Sequence, residues 1–102
     1  GGVVVAHPEG STFYKHPRLV VPSPDGMLAA VDRSVRANGD MSTIVKIRNE
    51  QGHTVVVYHY VHDSAGNLVH GPHEAPGSRD PTYAGTDIPY SVPGRPLQWR
   101  KL

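Results

Sequence analysis

The sequence predicts an α+β domain: one short N-terminal helix packed on a twisted antiparallel β-meander, followed by a loop-rich tail. Three observations predict it. Apolar residues recur at helical spacing from Met27 to Val35. Apolar and polar residues then alternate with a period of two from Thr43 onward. From Pro72 to the end, prolines at 72, 76, 81, 89, 93 and 96 exclude long helices. The 102 residues make one domain, divided into a lead-in (1–22), a helix (23–38), central hairpins (42–73) and a Pro/Gly-rich tail (74–102).

In the lead-in, Gly2 to Ala6 is a short apolar run suited to an edge strand, and His7-Pro8-Glu9-Gly10 ends it with a turn. Ser23 reads as an N-cap, Pro24 as the first helical residue and Asp25 as a charge near the positive end of the dipole. Met27, Leu28, Val31 and Val35 then form one apolar face, and Asn38-Gly39 a C-terminal stop, so a helix is expected over roughly 24–37.

The meander follows. Glu50-Gln51-Gly52 and Ser64-Ala65-Gly66 both read as three-residue hairpin loops with glycine in the left-handed position. Setting Asn49 opposite His53 pairs Ile47 with Val55, Val45 with Val57 and Thr43 with His59. Setting Asp63 opposite Asn67 pairs His62 with Leu68, Val61 with Val69 and Tyr60 with His70. This register puts Val45, Ile47, Val55, Val57, Val61 and Val69 on a face that should receive the helix. Lys46, Arg48, Tyr58, Tyr60, His62 and His70 fall on an open face. Asp63 opens a turn, where its carboxylate caps the loop. The last segment, Leu97 to Leu102, carries the one tryptophan and is expected to dock as a final strand.

Composition narrows the function. There is no cysteine, which excludes disulfide scaffolds, thiolate metal sites and cysteine nucleophiles. Net charge is +1, without the basic excess of a protein that binds nucleic acid by charge alone. No apolar run is long enough to span a membrane. The Gly1-Gly2 opening, without a signal-peptide pattern, suggests a processed piece of a longer protein.

The open face is the candidate site. Two histidines, His62 and His70, with Tyr60 directly opposite His70 and His62 diagonal to it, suit metal-independent cleavage of a phosphodiester. One imidazole takes the 2′-hydroxyl proton, a second acid protonates the leaving oxygen, and Lys46 and Arg48 hold the charged phosphorane. Tyr58 and His73 complete a substrate-binding surface, because tyrosines stack unpaired bases. A metal site is the competing reading. His59 and His62 are three apart on a strand and point to opposite faces, which argues against it. His70 and His73 can converge across Gly71-Pro72 with Glu74 as a third ligand. His59, on the valine face opposite Thr43, reads as a hydrogen-bonded core histidine, and His7 and His16 as structural loop residues. No metal or other cofactor is assigned.

Two resemblances rest on the central hairpins. Tyr60 to Leu68, YVHDSAGNL, resembles a single tyrosine–aspartate repeat of the shells of Rhs-type bacterial toxins. The wider layout from Pro24 to Glu74 resembles the small C-terminal toxin domains of polymorphic toxins, the contact-dependent inhibition, Rhs and colicin-type ribonucleases of barnase/colicin/RelE-like fold. The resemblance implies a metal-independent endoribonuclease toxin acting on tRNA or rRNA. It also implies secretion or delivery from a bacterial producer into the target-cell cytoplasm, and a cognate immunity protein. The near-neutral charge departs from the clearly basic pattern of such toxins. The alternatives are a non-enzymatic β-rich interaction module of a secreted bacterial assembly, or a His-dependent metal-binding domain.

Overall fold

In the computed structural model, which describes residues 3–6, 12–15, 19–22 and 26–101, the chain is essentially all-β. Nine strands follow in order among the described residues: β1 (Val3–Ala6), β2 (Thr12–Lys15), β3 (Leu19–Pro22), β4 (Leu28–Val35), β5 (Met41–Arg48), β6 (Thr54–His62), β7 (Leu68–Glu74), β8 (Asp87–Tyr90) and β9 (Gln98–Lys101). β3 to β7 form one antiparallel meander in sequence order, while β1–β2 and β8–β9 are separate two-stranded sheets. The expected strand at the start of the chain is β1. The turn at 7–10 and the roles given to His7 and His16 lie outside the described residues.

The predicted helix is overturned. Leu28 to Val35 is strand β4, hydrogen-bonded to β3 on one side and to β5 on the other. Two glycines explain the misreading. Gly26 has φ +88, which a right-handed helix cannot hold in its first turn. Asn38-Gly39 is the tip of a hairpin rather than a helix stop, with Gly39 at φ +90. The cap residues Ser23, Pro24 and Asp25 lie outside the described residues.

One turn is used three times. Arg36 N–H donates to Asp40 O (2.7 Å), Asn49 N–H to His53 O (2.9 Å) and Asp63 N–H to Asn67 O (2.9 Å). In each, a glycine one residue before the far end of the loop donates back to the first residue. The side chains of Asn49 and Asp63 reinforce their loops: each Oδ1 accepts two backbone N–H bonds, from Gln51 and His53 or from Ala65 and Asn67. Those bonds also hold the Asp63 carboxyl below its usual range.

The turns close as expected, but the strands then slip. Arg48 faces Thr54, and beyond it Ile47 faces Val56 rather than Val55, so Val55 is an extra residue in a bulge. Every later pair on β6 moves by one: Val45 faces Tyr58, Ile44 faces His59 and Thr43 faces Tyr60. β7 is irregular too. His62 faces Leu68, but Val61 faces His70 and His59 faces His73. Because cross-strand partners share a side, the slip exchanges the faces of β6.

β5 keeps its expected faces, with Val45 and Ile47 inward, but those of β6 are exchanged. The core face carries Ala29, Val31, Val45, Ile47, Val56, Tyr58 and Tyr60, packed with Ile88 of β8 and with Tyr90, Leu97 and Trp99 at its margin. The tryptophan segment docks as expected, as strand β9 paired with β8. The opposite side carries Asp32, Ile44, His59 and His73 in one row, and Ser34, Ser42, Val61 and His70 in the next. Among the described residues no helix is long and apolar enough to cross a membrane.

Candidate metal centre

The expected catalytic set is divided between the two faces. Tyr60 and His62 are fully buried on the core face, under β8. The Tyr60 hydroxyl donates to Pro89 O (3.3 Å) and accepts from Ser91 N–H (3.4 Å). His62 Nε2 pairs with the Tyr90 hydroxyl at 3.0 Å. Tyr58 is buried on the same face, where its hydroxyl accepts from Arg79 (3.2 Å). Burial raises the hydroxyl pKa of Tyr58 and Tyr60. His70, His73, Lys46 and Arg48 lie on the other side of the sheet. Lys46 is one row from His59, and Arg48 a further row away, about 13–14 Å along the strand.

That side brings together three imidazoles: His59 from β6, and His70 and His73 from β7. One nitrogen of each lies within 4.8 Å of the others. His59, expected in the core, is the residue that sequence reasoning missed. It reaches this side through the Val55 bulge. His70 and His73 are three apart and would face opposite ways in a regular strand. The irregularity at 71–72 inserts one extra residue between them, since their partners Val61 and His59 are only two apart, so both lie on the same side. Glycine and proline inside a strand were the available sign of this break.

Gly71 is fixed by that geometry. It has φ +76, and a Cβ there would lie 2.5 Å from His59 O and 3.1 Å from Tyr60 Cα. Gly71→Ala must therefore push β7 away from β6. We expect it to cost about 2–3 kcal/mol of stability, read from urea unfolding. Wild-type stability in this variant would contradict the described strand pairing.

Hydrogen bonds set the ring states. His73 Nδ1 lies 2.9 Å from Glu74 O, and a carbonyl only accepts, so Nδ1 carries the proton and Nε2 the lone pair. That lone pair accepts from His70 Nε2–H at 2.9 Å. His59 Nε2 pairs with Ser42 Oγ at 2.8 Å. The bond from His73 Nδ1 to a carbonyl is the kind that orients a metal-ligating imidazole. Zinc–nitrogen bonds of 2.0–2.1 Å put tetrahedral ligand nitrogens about 3.3 Å apart. The present set, between 2.9 and 4.8 Å, reaches this by side-chain shifts of order an ångström. Glu74, the expected third ligand, instead bonds Arg79.

Burial lowers the His59 pKa, and His73, His70 and Arg36 lower it further. Burial and Arg33 lower that of His62. An unfolded chain, with imidazoles near 6.5, then binds more protons than the fold just below that pH. The stability from these two groups is complete above about pH 6.5 and is lost as pH falls toward their folded values. Urea midpoints should fall between pH 7.5 and 5.5, and less so in His62→Gln. A midpoint that rises on acidification would contradict both depressed values.

No protein-family model, curated protein or solved structure matches the chain significantly.

Proposed function

We propose that this domain binds a divalent transition-metal ion of the zinc class through His59, His70 and His73. The observation that carries the reading is the meeting of three imidazoles from two strands, with Nδ1 of His73 held by a backbone carbonyl. Three nitrogen donors suit zinc, copper, nickel or cobalt rather than calcium or magnesium, which take oxygen ligands. Isothermal titration should show one zinc per chain, and no such binding in the His59→Ala/His73→Ala double variant. Unchanged zinc binding in that variant would rule the site out.

Ribonuclease action is the second reading. It is supported by the direct His70–His73 pair, the geometry of an acid–base pair, with Lys46 on the same side of the sheet. In this form it draws on the expected residues His70, His73 and Lys46, without Tyr60 and His62. The two readings part on chelation: RNA cleavage that persists in EDTA supports the second, and its absence from the purified protein removes it.

A further inference from the structure

We infer that the β8–β9 hairpin is an acid-released flap, latched to the meander by His62 and Tyr90, and that a proton taken up by His62 opens it over the face of Tyr58 and Tyr60. The three-imidazole cluster lies on the other side of the sheet and takes no part. β8 and β9 form a two-stranded sheet of their own. Around 88–91 this hairpin is held to the meander by Ile88 in the core and by side-chain hydrogen bonds. The Tyr60 hydroxyl donates to Pro89 O and accepts from Ser91 N–H, and Arg33 Nη2 donates to Ser91 Oγ. His62 Nε2 pairs with the Tyr90 hydroxyl at 3.0 Å.

His62 is the member of this latch whose charge changes near neutral pH. It is fully buried, and its ring lies 5.7 Å from that of Tyr60 and 5.6 Å from that of Tyr90. Its surroundings disfavour a second proton. Arg33 of β4 stands in the row of Tyr60, and the Arg100 guanidinium of β9 lies 4.7 Å over the Tyr90 ring. β5 and β7 place the uncharged Met41 and Leu68 opposite His62. Asp63, next in the chain, opposes these cations, but its carboxylate is engaged by N–H groups of its own turn. In the imidazolium both ring nitrogens carry a proton, and Nδ1 is buried with no acceptor among the described residues. Opening gives that N–H to water. Burial, and then Arg33, lower the His62 pKa against the pull of Asp63, so the closed flap binds the proton more weakly than the open one. Its closing effect is complete above about pH 6.5 and is lost as pH falls toward the closed-state value.

The test is hydrogen exchange followed by NMR on the full chain, with EDTA present. Two protons report the flap: Ser91 N–H, whose bond to Tyr60 crosses from hairpin to meander, and the buried indole N–H of Trp99 on β9. Between pH 7.5 and 5.5 their protection factors should fall by about three- to tenfold, while the amides of the central β5–β6 pair stay more protected throughout. In His62→Gln the fall should disappear. In His53→Gln, at an exposed loop end, it should remain. Flap and β5–β6 protons that share one protection at every pH overturn the flap. No fall in the wild-type protein, or a fall that persists in His62→Gln, overturns His62 as the latch. If that variant does not fold, the wild-type ring decides. Its resonances must titrate below about pH 6.5, and titration at or above that value overturns the inference.

Discussion

Zinc at about a hundredfold over its dissociation constant should raise the melting temperature of this domain by roughly 10–20 °C. A ligand at that ratio stabilises the folded state by about 2.7 kcal/mol, and a domain near 100 residues gains about 4–8 °C per kcal/mol. The effect is large here because the metal ties β7 to β6. β7 is the last strand of the meander, with exposed Leu68 and Val69 and an irregular ladder. Two of the three ligands lie on that strand, so metal binding closes it onto a strand whose turn and partners are already set. Removing His59 leaves two imidazoles on β7 with no tether to β6, and His59→Ala should lose nearly the whole shift. His53→Ala, at an exposed loop end away from the cluster, should keep it. A zinc-induced shift of the same size in His59→Ala would mean that the metal binds elsewhere.

The local and the long-range parts of this fold differ in how far they can be read from residues. The loops at Glu50-Gln51-Gly52 and Ser64-Ala65-Gly66 are legible because glycine in the left-handed region and an Asn or Asp that caps the turn are local chemistry. Asn38-Gly39 carries the same hairpin signal. It was masked by apolar residues at 27, 28, 31 and 35, which fit a helix, although β4 buries Ala29, Ala30 and Val31 in succession. The face assignment of β6 is harder. Val55, Val56 and Val57 are consecutive valines, so either phase of the alternation leaves an apolar residue facing inward. Nothing local marks Val55 as the bulge. One inserted residue moves Tyr58, Tyr60 and His62 into the core and His59 out of it. The candidate site thus depended on a register set by long-range packing, in which Ile88 and Pro89 of β8 cover the tyrosines.

Tyr60→Ala should cost about 3–5 kcal/mol, the range for truncating a buried aromatic ring. That is a large part of the total stability of a domain this size, about 5–15 kcal/mol. Tyr60 is fully buried, its ring lies 5.0 Å from Tyr90 and 5.7 Å from His62, and its hydroxyl ties Pro89 O and Ser91 N–H to the meander. Truncation empties that space and leaves both backbone groups of the β8 region without their partner. Tyr60→Phe keeps the ring and removes only the hydroxyl, so about 1–1.5 kcal/mol is expected. Urea unfolding measures both. A loss under about 1 kcal/mol in Tyr60→Ala would mean that β8 does not cover this face. The same pair of variants separates the two sides of the sheet. Tyr60→Phe should fold and bind zinc with wild-type affinity, because the imidazoles lie on the other side. If it instead abolished an RNA-cleaving activity while folding normally, Tyr60 would have to act on substrate, and the burial that defines the core face would have to open in solution.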